Sequence, residues 1–197
     1  MQTLDRETFL ALIQTKSTTL AQRQHVGEQA LAFGLSKPAH VNEYCYLDGA
    51  AALLASMMNR WAGLQLKEAA DMVRRSWDDW LTLLIRAESF PHIPQYVCVA
   101  RTSLDPSEPV HIAMGEAADV GNACPPSETS PYLISMTFLL QCLRGNAAKA
   151  GIELPPRLTV DPNDQPAYDR WRAEIDALRE AAGMRDARVA KMVKTPA

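Results

Sequence analysis

Glycine is scarce, nine in 197 residues. With it go the phosphate-cradling loop and the G-x-S-x-G turn, and no H-E-x-x-H helix replaces them. No stretch of about 18 apolar residues exists, and the opening segment MQTLDRETFLALIQ breaks its apolar pattern with charge, unlike a secretory signal. A soluble, cytoplasmic protein with no membrane partner is therefore expected. The four cysteines (Cys45, Cys98, Cys124 and Cys142) stand far apart, with no C-x-x-C and no histidine at ligand spacing. That argues against a locally encoded metal site or disulfide framework; reduced, buried thiols are expected, and neither a metal nor a cofactor is implied. Positive charge is not in excess either: 20 Lys and Arg against 23 Asp and Glu leave a net −3. Nucleic acid cannot be held by overall charge, so any contact must come from a local patch.

What the chain does have is a 47% hydrophobic composition, enough for a true core, and a patterned N-terminal stretch from Asp5 to Val73. Asp5 is placed to cap a first helix in which Phe9, Leu12 and Ile13 repeat at helical spacing. Thr15 to Ser17 breaks it, and Thr15 or Ser17 can cap a second helix with Leu20 inward. Lys16, Ser17, Thr18, Thr19, Gln22, Arg23 and Gln24 are then left facing out. Such a set suits a DNA groove: Arg bonds a guanine edge bidentately, Gln does so for adenine, and hydroxyls reach phosphates or bases. An ordinary solvated helix face is the plainer alternative.

From Gly34 to Leu47, Pro38 and turn-prone residues precede an extended EYCYL, as in a short hairpin or wing carrying Lys37 and His40 at its tip. Asp48 can cap the next helix, whose stripe Ala50, Leu54, Met57 and Trp61 ends at Gly63. Leu66, Ala69, Ala70 and Val73 share one face of the helix after it. This order of parts resembles the DNA-binding half of the MerR-type winged helix-turn-helix regulators, a group that shades into phage excisionases and small terminase subunits. Tyr46, Asp48, Gly63 and Leu66 fit its pattern of an aromatic, an acidic cap, an apolar helix, a glycine and a short helix. The paired aromatics of the family's second helix are replaced here by AQRQ, and its basic wing is reduced to Lys37. The resemblance implies double-stranded DNA as partner, the second helix in the major groove and a homodimer.

Beyond residue 75, Trp77, Trp80, Leu81 and Leu84 line one side of a further helix that runs to Pro91. QYVCVARTS and VHIAMGEAADV read as a β-hairpin, and YLISMTFLLQCLRGNAAKAG as one buried helix. If a small-molecule or protein effector acts on the chain, this region is where it would dock. PPRLTVDPNDQP reads as a linker to a last helix whose Tyr168, Trp171, Ile175, Leu178 and Ala182 make a seam at spacings of three and four. That seam serves either to pair two copies or to dock on the chain's own core. The tail Arg185, Arg188, Lys191 and Lys194 against Asp186 is basic.

The expected class is mainly α, α+β overall, divided as a winged helix-turn-helix domain with its helix pair (1–75), an α+β region with a hairpin and helices (76–158), and a linker with the C-terminal helix (159–197). No catalytic constellation is expected. Cys98 and His111 fall on neighbouring strands, where a thiol and an imidazole can make a nucleophile, but both lie in apolar strand patterns that need no such purpose. Asp78, Asp79 and Glu88 read as a helix surface. The expected function is a sequence-specific, dimeric transcriptional regulator. A phage-type small terminase or excision factor, and a protein-interaction adaptor that has lost DNA, remain the alternatives. Through residue 40, four cations (Arg6, Lys16, Arg23, Lys37) against three acids (Asp5, Glu7, Glu28) leave only plus one.

Overall fold

The structure, a computed structural model, describes residues 1–25, 27–33, 43–101, 103, 105, 110–124 and 131–193, without the side chains of 25 and 184–193. Within these residues the fold is α+β, with eight helices and one three-stranded antiparallel sheet. No helix among them is long and apolar enough to cross a membrane.

Helix α1 (Arg6–Leu12) starts where expected, because the Asp5 carboxylate accepts the Thr8 N–H at 2.8 Å. The same bond holds the Asp5 carboxyl below its ordinary range. Helix α2 (Ser17–His25) follows, and α3 (Tyr46–Ala62) and α4 (Leu66–Arg75) form the helix pair. Asp48 does not occupy the cap of α3. Cys45 does, and Asp48 sits three residues on, accepting the Cys45 N–H at 2.9 Å and the Ala32 N–H at 2.9 Å. One buried carboxylate thus closes the start of α3 and holds the segment arriving from α2. At the other end, α3 stops at Gly63, and the Asn59 amide donates to the Leu64 carbonyl at 2.6 Å across the joint to α4. Gly49 is needed for close approach: a Cβ there would lie 2.8 Å from Leu12 Cδ2 and 3.2 Å from Leu143 Cδ1.

Helix α5 (Trp77–Ser89) buries Trp77, Trp80, Leu81 and Leu84 as its spacing predicts. Trp80 also donates its indole N–H to the Val73 carbonyl at 2.8 Å. The hairpin is β1 (Gln95–Arg101) and β2 (Val110–Glu116), paired antiparallel with Val97 opposite Met114. Two assignments differ from the sequence reading. Residues after β2 turn into a short helix, α6 (Ala117–Ala123), instead of continuing the strand. Tyr132–Ser135 is a third strand, β3, on the other side of β1, so α7 (Met136–Lys149) begins only at Met136. Ser135 marks that boundary by accepting the Phe138 N–H, a cap embedded in an otherwise helical-looking run. Val97, Val99 and Ile134 face the helices and join the main core, whereas Cys98 is turned to the opposite face.

The stretch read as a linker is latched down. Glu88, at the end of α5, accepts the Leu158 N–H at 2.8 Å and both the N–H and hydroxyl of Thr159, and pairs with Arg144 at 2.8 Å. Arg144 donates onward to the carbonyls of Pro155 and Pro156. Glu88 is therefore a half-buried junction and not a free surface acid. Helix α8 (Gln165–Val193) then lies against the body, with Trp171, Ile175 and Ala182 buried and Tyr168 and Leu178 packed beside them. Arg179 stacks over the Trp77 ring at 4.6 Å, and Arg172 pairs with Asp78 at 2.6 Å. A single hydrophobic cluster runs from Leu4 to Ala182, so the three stretches distinguished in the sequence share one core.

Candidate nucleic-acid interface

The outward side of α2 is built by what holds its ends. Between α1 and α2, Gln14 takes a left-handed backbone (φ 52°), uncommon for a residue with a side chain, in a helix-ending turn closed by the Thr15 N–H on the Leu10 carbonyl at 3.0 Å. α7 contacts this turn: Gln14 Nε2 donates to Asn146 Oδ1 at 2.7 Å, and Asn146 Nδ2 donates to the Leu12 carbonyl at 2.9 Å. The Thr15 hydroxyl donates back to the Ile13 carbonyl, and Arg6 reaches the Ser17 carbonyl at 3.4 Å, tying the start of α1 to the start of α2.

At the far end, Gly27 adopts φ 74° and the Glu28 N–H returns to the Arg23 carbonyl at 2.7 Å, a left-handed stop that glycine makes without strain. Arg74 of α4 clamps this stop, donating to the Gln29 carbonyl at 3.0 Å and the Gly27 carbonyl at 3.2 Å while pairing with Asp71. Leu20 is the inward anchor and is fully buried. α2 is therefore fixed by one leucine and by polar contacts from three other helices.

Lys16, Ser17, Thr18 and Gln22 are exposed, and Thr19 and Arg23 are half-buried. Among the described residues neither Lys16 nor Arg23 enters an ion pair. Gln24 departs from the expectation. It is only 2% exposed, and its amide donates inward to the Tyr44 hydroxyl at 3.4 Å, so it is withdrawn from any groove. The reason is position: Gln24 lies four residues after Leu20 and shares its inward stripe.

Lys37 and His40 lie outside the described residues. Just before α3, the Tyr44 backbone pairs in both directions with Leu4, and its ring stacks on Phe9 with centroids 4.0 Å apart. Burial pushes the Tyr44 hydroxyl above its ordinary range, as it does the neighbouring Tyr46, up to about 12. Asp48, beneath this junction, is raised to about 6 by burial, against the pull of the N–H groups it accepts. An apolar cavity of about 60 Å³ lies here between Phe33, Tyr44, Asp48, Leu178 and Ala182.

The other singled-out residues are placed as follows. Cys98 stands opposite Ala113 and His111 opposite Ala100, so the two are not cross-strand partners; Cys98 is buried and His111 is exposed. Burial, and secondarily the Cys124 thiol, push Cys98 up to about 12, the reverse of what a nucleophile needs. Among the described residues no group of three His, Cys, Asp or Glu side chains is arranged to hold a metal ion. In the α8 seam, Trp171 and Ile175 are buried in the chain's own core, and Tyr168 and Leu178 pack on it. The basic side chains of the tail lie outside the described set.

Sequence reasoning missed the two supports, Asn146 and Arg74. An amide such as Asn146 inside the run FLLQCLRGNAAK is a signal of a kind, since where it is covered it needs a partner. Nothing local distinguishes Arg74 from Arg75.

No protein-family model matches the chain, and comparison with curated proteins finds no significant match.

Proposed function

We propose that this is a sequence-specific, double-stranded-DNA-binding regulator of the winged helix-turn-helix kind, with α2 entering the major groove. The observation that carries the reading is a short helix held at both ends by the body of the protein that leaves Lys16, Ser17, Thr18 and Gln22 exposed, with Arg23 half-buried beside them. Side chains on a rigid element meet base edges with little ordering cost, and Arg23 and Gln22 carry donors of the type that read guanine and adenine. Lys16 precedes the first turn, where backbone N–H groups already favour a phosphate. The Leu4–Tyr44 bridge is compatible with the winged form of the motif, because it pairs a residue just before α3 with the N-terminal strand position.

A regulator of this kind binds as a homodimer to two-fold symmetric sites. The α8 seam is occupied within one chain, so pairing would use another surface. Selection of bound fragments from random genomic DNA tests the reading: a recurrent, two-fold symmetric sequence is expected, and recovery of no enriched sequence would contradict it. A packaging or excision role shares the same DNA chemistry and separates by mass in solution, since a ring of many subunits favours packaging and a dimer favours regulation.

One observation favours the adaptor instead. Trp61 and Phe138 are 41% and 43% exposed, and they touch with ring centroids 5.7 Å apart. Such a patch suits a protein partner. An adaptor would retain no DNA in a salt-dependent way, whereas the regulator does.

A further inference from the structure

Beneath α6, on the face of the sheet turned away from the main core, two thiols meet. Cys98, in the middle of the central strand, is fully buried, and Cys124, at the last cap of α6, is half-buried; their sulfurs lie 2.8 Å apart. The residues are 26 apart in sequence and come from different elements, so the fold, not chain proximity, sets the approach. The other two cysteines are placed differently. Cys45 is buried at the start of α3, and Cys142 sits half-buried on α7.

We propose that Cys98 and Cys124 form an oxidant-reactive dithiol that closes to an intramolecular disulfide with peroxides. Cys124, the more accessible sulfur, attacks the peroxide oxygen, giving a sulfenic acid and releasing one water. The Cys98 sulfur, already in contact, then displaces the sulfenic hydroxyl, which leaves with the Cys98 proton as a second water. With hydrogen peroxide, two S–H bonds and one O–O bond break, one S–S bond and two O–H bonds form, and two electrons pass from sulfur to oxygen. Burial keeps the Cys98 thiol protonated, which assigns it the resolving rather than the attacking role. The bond would fasten the end of α6 to β1.

The test uses the full chain, treated with hydrogen peroxide in slight molar excess, blocked with iodoacetamide and digested without reduction by chymotrypsin, which separates Cys124 from Cys142. The expected product is a linked pair of peptides holding Cys98 and Cys124, lighter by two hydrogens than their sum and released by dithiothreitol. Cys142→Ser should leave that link intact, and Cys124→Ser should leave Cys98 open to alkylation after unfolding. A sulfinic acid or adduct on Cys124 with Cys98 still alkylated would overturn the proposal. So would a link that runs to Cys45 or Cys142, or no link at a peroxide dose that oxidises Cys142. The wild-type measurement decides the matter even where the Cys124→Ser chain does not fold.

Discussion

Helices α2 and α8 are anchored by opposite means. α8 buries Trp171, Ile175 and Ala182 along one side and adds the Arg179–Trp77 and Arg172–Asp78 contacts, so its place is set by area removed from water. α2 inserts a single large apolar side chain, Leu20, and is held by Arg6, Asn146 and Arg74 acting on its flanking turns. A helix fixed by its apolar face is part of the wall. One fixed at its ends leaves its long outer side free for a ligand. The contrast is the physical ground for the proposal that α2 carries the contact with DNA while α8 serves the fold.

The largest expected effect falls on the wall. Replacing Ile175 by alanine should lower stability by ~2–5 kcal/mol through lost burial and an unfilled cavity. Denaturant unfolding should report that loss independently of protein concentration. If the loss shrinks on dilution, the seam is working between chains and the contrast with α2 fails.

Next is Asp48, which lies where the two regions meet, against Phe33 from the α2 side and near Leu178 and Ala182 of α8. Folding raises its carboxyl from 3.8 to about 6, so the folded protein keeps a proton that the unfolded chain releases between those values. Its contribution to stability is therefore fully present below about pH 4 and is lost as pH rises through 6. The size is on the order of 3 kcal/mol. The stability of the wild type minus that of Asp48→Asn should fall by this amount from pH 4 to 7, measured by urea midpoints. A flat difference would show that the carboxyl is not held in the protonated form.

Smaller effects should follow at α2. Asn146→Ala should cost ~1–2 kcal/mol of stability, because the Leu12 carbonyl and the Gln14 amide lose their partner. It should also weaken DNA binding without touching DNA. Equal affinity in this variant would mean that the turn does not need support from α7. Smallest is Lys16→Ala, expected to lower the salt dependence of binding by about one phosphate contact, with little change in sequence preference. An altered preference with unchanged salt dependence would place Lys16 on a base instead.

Much of this arrangement was legible beforehand. The α1 cap at Asp5, the end of α3 at Gly63, the buried side of α5 and the β1–β2 hairpin follow from capping chemistry and periodicity, which act over a few residues. Periodicity also named the apolar sides of α2 and α8, but it does not say what covers a side, and so it left the α8 seam open between two uses. Gln24 was misjudged because a polar residue on an inward stripe looks outward until its partner, Tyr44, is known. β3 was hidden inside a helical-looking run because YLIS is apolar at every position but the last. The latch of Glu88 on Leu158 and Thr159, like the hold of Asn146 on Leu12, joins residues 70 and 134 positions apart. No local pattern encodes such pairs.

The most direct test of the central claim is the affinity of the wild type and the Lys16→Ala/Arg23→Ala double variant for a selected DNA site, followed across salt concentrations. The account predicts tight, salt-dependent binding by the wild type and a loss of about tenfold or more in the double variant, in line with one base contact and one phosphate contact removed. Binding of equal strength by both proteins, or retention of no DNA by either at low salt, would contradict it.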